Sequence, residues 1–356
     1  MNPIAPQPST LPERLPRRAA GVPSTADPVD SVLVSSSAPP SLAGLLRAGL
    51  APAGMAAAVA LPGPARAALL ELWENPSLHQ PLSRLLERGA LGRTDRVGAT
   101  TVENLAGLSR QAPGLAEQTA RALAEPTRVS QGNRYTCAAS DFEHLIALEE
   151  PADFVRLVSG LAGPEGTGVL PTGVEVQRPV DSMVEDGSGR TAVDRLVQSA
   201  LMALGGMRHG SYHNLTDSFD GSQERGLGGL DVAILADLVT GSDHVLVLGD
   251  PATAETLSEA LATGQRFALG MDYNGTDHVV LVHGVREGRV RFYNPQASTS
   301  EPLEGVDHRP EPDGTQSIPV ADMLSRTRFA VLPEGCAVSG LPPELAIPIR
   351  VQDLVN

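Results

Sequence analysis

The sequence predicts an α+β domain in which helices come first and antiparallel strands follow. Three observations carry this. Apolar residues recur at near-helical spacing from about 43 to 128, and helical stretches continue from Cys137 to Leu204. β-type runs gather after position 244: His244 to Leu248, Phe267 to Met271, His278 to Val285, Arg289 to Tyr293 and Phe329 to Leu332. Glu287-Gly288 is a tight-turn signal that joins two of those runs.

Residues 1–42 are rich in Pro, Ser and Ala without apolar periodicity and read as a disordered leader. Met1 to Arg18 contains no apolar h-region of a secretory signal. Leu50 to Leu61 is too short and too proline-broken to span a bilayer. Residues 43–128 form a helical N-terminal region of three or four short helices. One apolar cluster holds Ala67, Leu69, Leu70, Leu72 and Trp73; another holds Leu82, Leu85 and Leu86 and ends at Gly89. Leu105, Leu108, Leu115 and Leu123 continue the pattern, with starts at Ser77-Leu78 and Thr101-Val102 and a stop at Pro126. The domain expected to carry chemistry runs from 129 to 340, and 341–356 is a C-terminal tail. Its helices are expected at Cys137–Glu150 (capped by Thr136, ended by Pro151), Ala152–Leu161, Thr191–Leu204, Leu230–Val239 and Ala252–Ala262. Gly163–Gly189 and Gly205–Gly229 read as loops.

Composition excludes several function classes. Acids outnumber bases 42 to 27, for a net charge of −15. Such a chain is repelled by phosphate backbones and anionic membranes, so neither nucleic acid nor a membrane is an expected partner. Aromatics are only 3%, too few for base stacking to be the main activity. The two cysteines, Cys137 and Cys336, make neither a disulfide framework nor a four-thiolate zinc site. Every basic residue is arginine. A GC-rich genome accounts for this, as does selection against lysine as an acceptor of ubiquitin or of a transamidation product; either way lysine chemistry is absent.

Gln131, Cys137, His278 and Asn294 are the informative residues. Thiol-based acyl transfer needs a thiolate, and a helix N-terminus behind Thr136 favours the anion at Cys137. It needs a base, and His278 heads a strand. It needs a group to orient the imidazole. Asn294 ends the next strand across the Glu287-Gly288 hairpin and can be brought near residue 278. It needs donors for the oxyanion, which the Gln131 side-chain amide and the Cys137 N–H can supply.

The order Gln, Cys, His, Asn resembles the papain-like cysteine peptidase superfamily. Gln131 precedes Cys137 by six positions and Asn294 follows His278 by 16, spacings similar to those of papain. The segment Asp277-His278-Val-Val-Leu-Val-His-Gly284 resembles the papain-like histidine strand. The Cys-to-His separation falls in the roughly 130–150 of papain relatives. The match covers about 129 to 333 and is to divergent bacterial members, double-glycine-type peptidases and effector-type proteins. It implies a two-lobed fold, a helical lobe with Cys137 and a β lobe with His278, no cofactor, and a peptide or protein substrate. It also implies a bacterial cytoplasmic location or export without a cleavable Sec signal, as for a delivered effector. The Cys-Gly-Ser/Ala-Cys-Trp signature is absent, and Pro295-Gln296 follows Asn294 where papain has a tryptophan. Peptidase, glutamine deamidase and transglutaminase-type acyl transferase therefore stay open, as does a non-catalytic interaction protein on the same scaffold.

Other candidates weigh less. Cys336 has no catalytic companions. His283 lies at an odd offset from His278, on the opposite strand face. Asp277 and Asp272 are possible polar partners, and each neighbours a residue of the opposite face. His209 and His213 have metal-ligand spacing, but Gly205, Gly206 and Gly210 argue against a helix there. Asp217 to Glu224 lacks a calcium loop's alternation and reads as an acidic solvated loop. Gly226-Leu-Gly-Gly229 completes no phosphate-binding fingerprint, though this loop could wall a substrate cleft.

Overall fold

Alternate residues along nearly continuously buried strands join two different cores, one on each face of a single eight-stranded antiparallel sheet. The computed structural model describes Gly44 and residues 50–220, 225–249, 253–296, 302–336, 341 and 344–348. The leader expected over 1–42, most of the tail expected over 341–356, and positions 221–224 of the acidic loop lie outside the described residues.

The helices before the sheet are α1 (Pro52–Ala60), α2 (Gly63–Leu72), α3 (His79–Glu87), α4 (Thr101–Gln111), α5 (Pro113–Ala124), α6 (Cys137–Glu149), α7 (Pro151–Ala162), α8 (Ala192–Gly205) and α9 (Gly229–Thr240). Capping explains several boundaries. Thr100 and Glu103 form a reciprocal capping box on α4, as do Thr191 and Asp194 on α8. Gly89 follows α3 in the left-handed region, where a side chain would be strained. Between α7 and α8, β1 (Thr167–Val169) pairs with β2 (Glu175–Gln177), and after α8, β3 (Tyr212–His213) pairs with β4 (Ser218–Phe219). The stretches expected to be loops thus hold two short antiparallel ladders.

The large sheet contains β5 (His244–Leu248), β6 (Phe267–Tyr273), β7 (Thr276–Arg286), β8 (Arg289–Tyr293), β9 (Arg309–Pro310), β10 (Gln316–Pro319), β11 (Thr327–Pro333) and β12 (Ala346–Pro348). Their order is β12-β5-β11-β6-β7-β8-β10-β9, and every pairing is antiparallel. The β7–β8 turn has Glu287 at φ 53° and Gly288 at φ 72°, the pair of positive angles a two-residue hairpin of matching twist requires. Helices α10 (Ala254–Ala262) and α11 (Val320–Arg326) belong to the sheet half of the chain.

Val279, Leu281 and Tyr293 join the core shared with α1–α9, whereas Val280, Val282 and Phe292 join a second core with Leu257, Leu261 and Met323 of α10 and α11. The first core runs from Leu50 to Val331, so the N-terminal helices and those after position 129 share it. At its centre lies α6, buried at every position from Ala138 to Ala147 and packed on α7, α8, α9 and β7. Filling all sides of a helix this way normally demands an apolar sequence. Here Asp141, Glu143 and His144 are inside as well.

Candidate active site

The approach to Cys137 is fixed by the loop before it. Gln131 is buried, and its backbone N–H donates to the Pro295 carbonyl at 3.1 Å, tying this loop to the residue after Asn294. Gly132 follows at φ +57°, against the Ser188 carbonyl, where a Cβ would lie 2.1 Å from that oxygen. The Tyr135 N–H donates to the Asp217 carboxylate at 2.8 Å, and the Tyr212 hydroxyl donates to the same group at 2.8 Å. Asp217 is therefore a buried anchor for the segment entering α6 rather than part of a solvated acidic loop.

Cys137 is the first residue of α6, as its spacing predicts. Thr136 occupies the cap position without capping: its hydroxyl donates to the Gln198 side-chain oxygen at 2.9 Å. The helix N–H groups are left for the sulfur, which faces those of Cys137 and Ala138 and also the N–H of Val279 on β7. These donors lower the thiol's pKa, but they lose to two opposing effects. Desolvation by burial, aided by the carboxyl of Asp141 one turn further on, pushes the Cys137 thiol up to about 12. The helix terminus favours the anion as expected, but burial outweighs it and the thiol is held neutral.

His278 sits three residues into β7, opposite Met271 of β6. Its Nε2 lies 2.9 Å from Asn294 Oδ1, in a buried pair. The Asn294 oxygen is assigned independently, because it also accepts the Gln296 backbone N–H at 2.9 Å while its Nδ2 donates to Gln316 Oε1 at 3.1 Å. Nε2 must then carry the proton, and Nδ1 is left as the acceptor nitrogen of a neutral ring. Desolvation draws the imidazole down to about 4, against the smaller upward pull of the Asn294 hydrogen bond. The Tyr273 ring meets His278 edge-on, centroids 5.5 Å apart.

The structure therefore joins His278 to Asn294 directly and places the Cys137 sulfur against the N–H of the next residue, Val279. Among the described residues no hydrogen bond joins Cys137 to His278. Gln131 reaches the same neighbourhood through Pro295, with its Nε2 donating to the Arg134 carbonyl at 2.6 Å and its Oε1 buried without a partner. Cavities of about 390, 560 and 740 Å³ open elsewhere, none of them lined by Cys137 or His278.

The remaining candidates go to other tasks. His283 pairs with His144 of α6, Nε2 to Nε2 at 3.1 Å. Cys336 is buried and donates to Gln265 Oε1 at 3.1 Å. Asp272 pairs with Arg328 at 2.7 Å, and the Asp277 side chain is 92% exposed. His209 bonds Asp231 and His213 bonds Asp220, two separate pairs rather than one ligand set. Among the described residues no group of three or more His, Cys, Asp or Glu is placed to hold a metal ion. No helix among them is long and apolar enough to cross a membrane.

Three residues that sequence reasoning passed over matter here. Asp141 follows Cys137 by one helical turn, fully buried, with no well-aligned hydrogen bond to either carboxylate oxygen; desolvation raises its pKa well above the usual range, against a smaller downward pull from the nearby Leu281 N–H. Its signal was an acid at i+4 from the cysteine, one helical turn on and so on the same face. Gln316 holds Asn294 and also accepts from His308 at 2.9 Å. Gln198 holds Thr136 and donates to the Ser130 carbonyl at 3.0 Å. Comparison of the chain with protein-family models, curated proteins and solved structures returns no match.

Proposed function

We propose that this chain is a cysteine-dependent amide hydrolase of papain-like, two-lobed arrangement, acting on a peptide or protein substrate. The observation that carries the reading is the buried His278–Asn294 pair at 2.9 Å, which orients a neutral imidazole beside the strand residue that meets the Cys137 sulfur. A ring fixed through Nε2 presents Nδ1 as the base.

In this reading substrate binding brings Nδ1 to the thiol and the proton passes from sulfur to nitrogen as sulfur attacks the carbonyl carbon. Making the two charges together offsets part of the cost that burial imposes on either alone. The carbonyl oxygen becomes an oxyanion facing the Cys137 N–H and the second Nε2 hydrogen of Gln131. Collapse breaks the C–N bond, and the imidazolium returns its proton to the departing amine. Water then attacks the thioester, giving its proton to His278, and the thiol is released with the carboxylate product.

Cys137→Ala tests the assignment: turnover of a fluorogenic amide panel is expected to fall by at least about 10³-fold with the circular dichroism spectrum unchanged. Wild-type turnover in that variant would remove the nucleophile. Two observations favour other readings. The lack of lysine suits a transglutaminase-type acyl transferase, in which an amine replaces water at the thioester without crosslinking the enzyme to itself. Water at a glutamine-derived thioester would make the chain a deamidase, which adds about one dalton and leaves the target intact, unlike cleavage. The neutral thiol without a hydrogen bond to His278 suits a non-catalytic interaction protein. Inertness of Cys137 to acyl-type activity probes, with stable partner capture, would favour that last reading.

A further inference from the structure

The helix and strand that carry Cys137 and His278 also meet seven and five residues further on, at His144 and His283. There they form one wall of a cavity of about 740 Å³. The wall is unlike the rest of this acidic chain. Arg84, Arg88, Arg128 and Arg266 line it against only two carboxylates, Glu125 and Asp313. Those acids are already engaged. Glu125 pairs with both Arg84 and Arg128, and Asp313 pairs with Arg291. Arg266 has Glu149 outside the lining, and Arg88 has no acidic partner among the described residues, donating only to the carbonyls of Leu123 and Ala124 at 3.0 and 3.2 Å.

The imidazoles add a second, independent feature. His144 is 1% exposed and stacked on Tyr293 at 4.0 Å; its Nδ1 makes no well-aligned hydrogen bond, although the Pro126 carbonyl of the cavity lining acts on the ring. A buried ring whose second nitrogen has only a poorly aligned carbonyl beside it, in a wall of guanidiniums, gains from a polar group that completes it. The size fits a small molecule. Guanidiniums present paired N–H donors that match phosphoryl oxygens.

The geometry points to this cavity as a binding site for a free polyphosphorylated small molecule, held by Arg88 and Arg266 at its rim and by the His144–His283 pair in its wall. It is separate from the Cys137 site and stands whether or not that site is catalytic.

Isothermal titration of the full chain with inorganic pyrophosphate and triphosphate, at constant ionic strength, tests it. One equivalent is expected to bind, with affinity at least tenfold weaker in Arg88→Gln and in Arg266→Gln. Arg110→Gln, an exposed arginine paired with Glu71 elsewhere, is expected to bind as wild type. The His144 and His283 ring resonances should shift on saturation in histidine-labelled protein. No binding at millimolar ligand, equal binding of sulfate, or binding unchanged in the Arg88→Gln/Arg266→Gln double variant would overturn the proposal. Sedimentation with phosphatidic acid vesicles without binding of either free anion would overturn it too, assigning the cavity to a lipid headgroup.

Discussion

The two ends of the α6–β7 pair bury a histidine in contrasting company. At one end His278 is fixed by a carboxamide and neighbours a thiol. At the other, His283 is fixed by a second imidazole and surrounded by guanidiniums. Burial draws both rings down, His278 to about 4 and His283 to about 3, and at His283 the charges of His144, Arg266 and Arg291 push the same way. Both are thus neutral at pH 7. What differs is the free nitrogen's surroundings. A carboxamide fixes a tautomer without adding charge, which suits a base; a rim of cations disfavours the imidazolium and suits an anion.

That contrast is broken most sharply by exchanging the histidines' fates. His278→Ala is expected to cost at least about 10³-fold in kcat/KM on any amide substrate found, whereas His283→Ala should leave it within a few-fold. Equal losses would mean that the strand's packing, and not the ring at 278, sets activity. Asn294→Ala should cost about 10²-fold, since the ring keeps its chemistry and loses its aim. The same variant with full activity would show that Tyr273 and the strand suffice to hold the imidazole.

The pH dependence gives a graded test. His278 must be unprotonated to accept the thiol proton, and its folded-state value is about 4. Log kcat/KM is therefore expected to be flat through pH 5–7 and to fall about tenfold per unit below pH 4. A limb near 6.5 would show that the ring is not desolvated. The effect on stability comes from a group whose pKa moves the other way. Asp141 is held protonated in the folded chain by desolvation, so it binds a proton that the unfolded chain gives up above its ordinary value. The contribution of Asp141 to stability must then fall as pH rises from about 4, until Asp141 ionises in the fold as well. Asp141→Asn removes that dependence and should gain relative to wild type by about 1.4 kcal/mol per pH unit over this window, read from urea midpoints at several pH values. A gap that does not change with pH would show that Asp141 is ionised in the folded state.

Much of this architecture was legible because it rests on local rules. The bounds of α6, the strands β5 and β8, and the β7–β8 hairpin follow from apolar period and turn chemistry. Asn274-Gly275, at φ 54° and 84°, is an equally clear hairpin signal between β6 and β7. The His278–Asn294 contact was legible for the same reason, since one hairpin joins the two. What escaped depends on distant partners. Thr136 looks like a cap, and nothing nearby reveals that Gln198, 62 residues on, takes its hydroxyl. The acidity of Cys137 looks like a helix-terminus effect until the packing of β7 and Asp141 is known. Asp217 looks solvated because it opens an acidic stretch with few apolar residues, although it is buried and bonded by the Tyr135 N–H and the Tyr212 hydroxyl. Composition reports average surroundings, and a site is built from the exceptions.

The strand order has a consequence for how the chain is made. β5 lies between β11 and β12, so both of its neighbours are synthesised some eighty or more residues after it. Until they emerge, the apolar run His244–Leu248 presents two unsatisfied backbone edges. A chain halted before Thr327 would keep that sticky ribbon bare, a ready template for aggregation in any nascent or C-terminally clipped form.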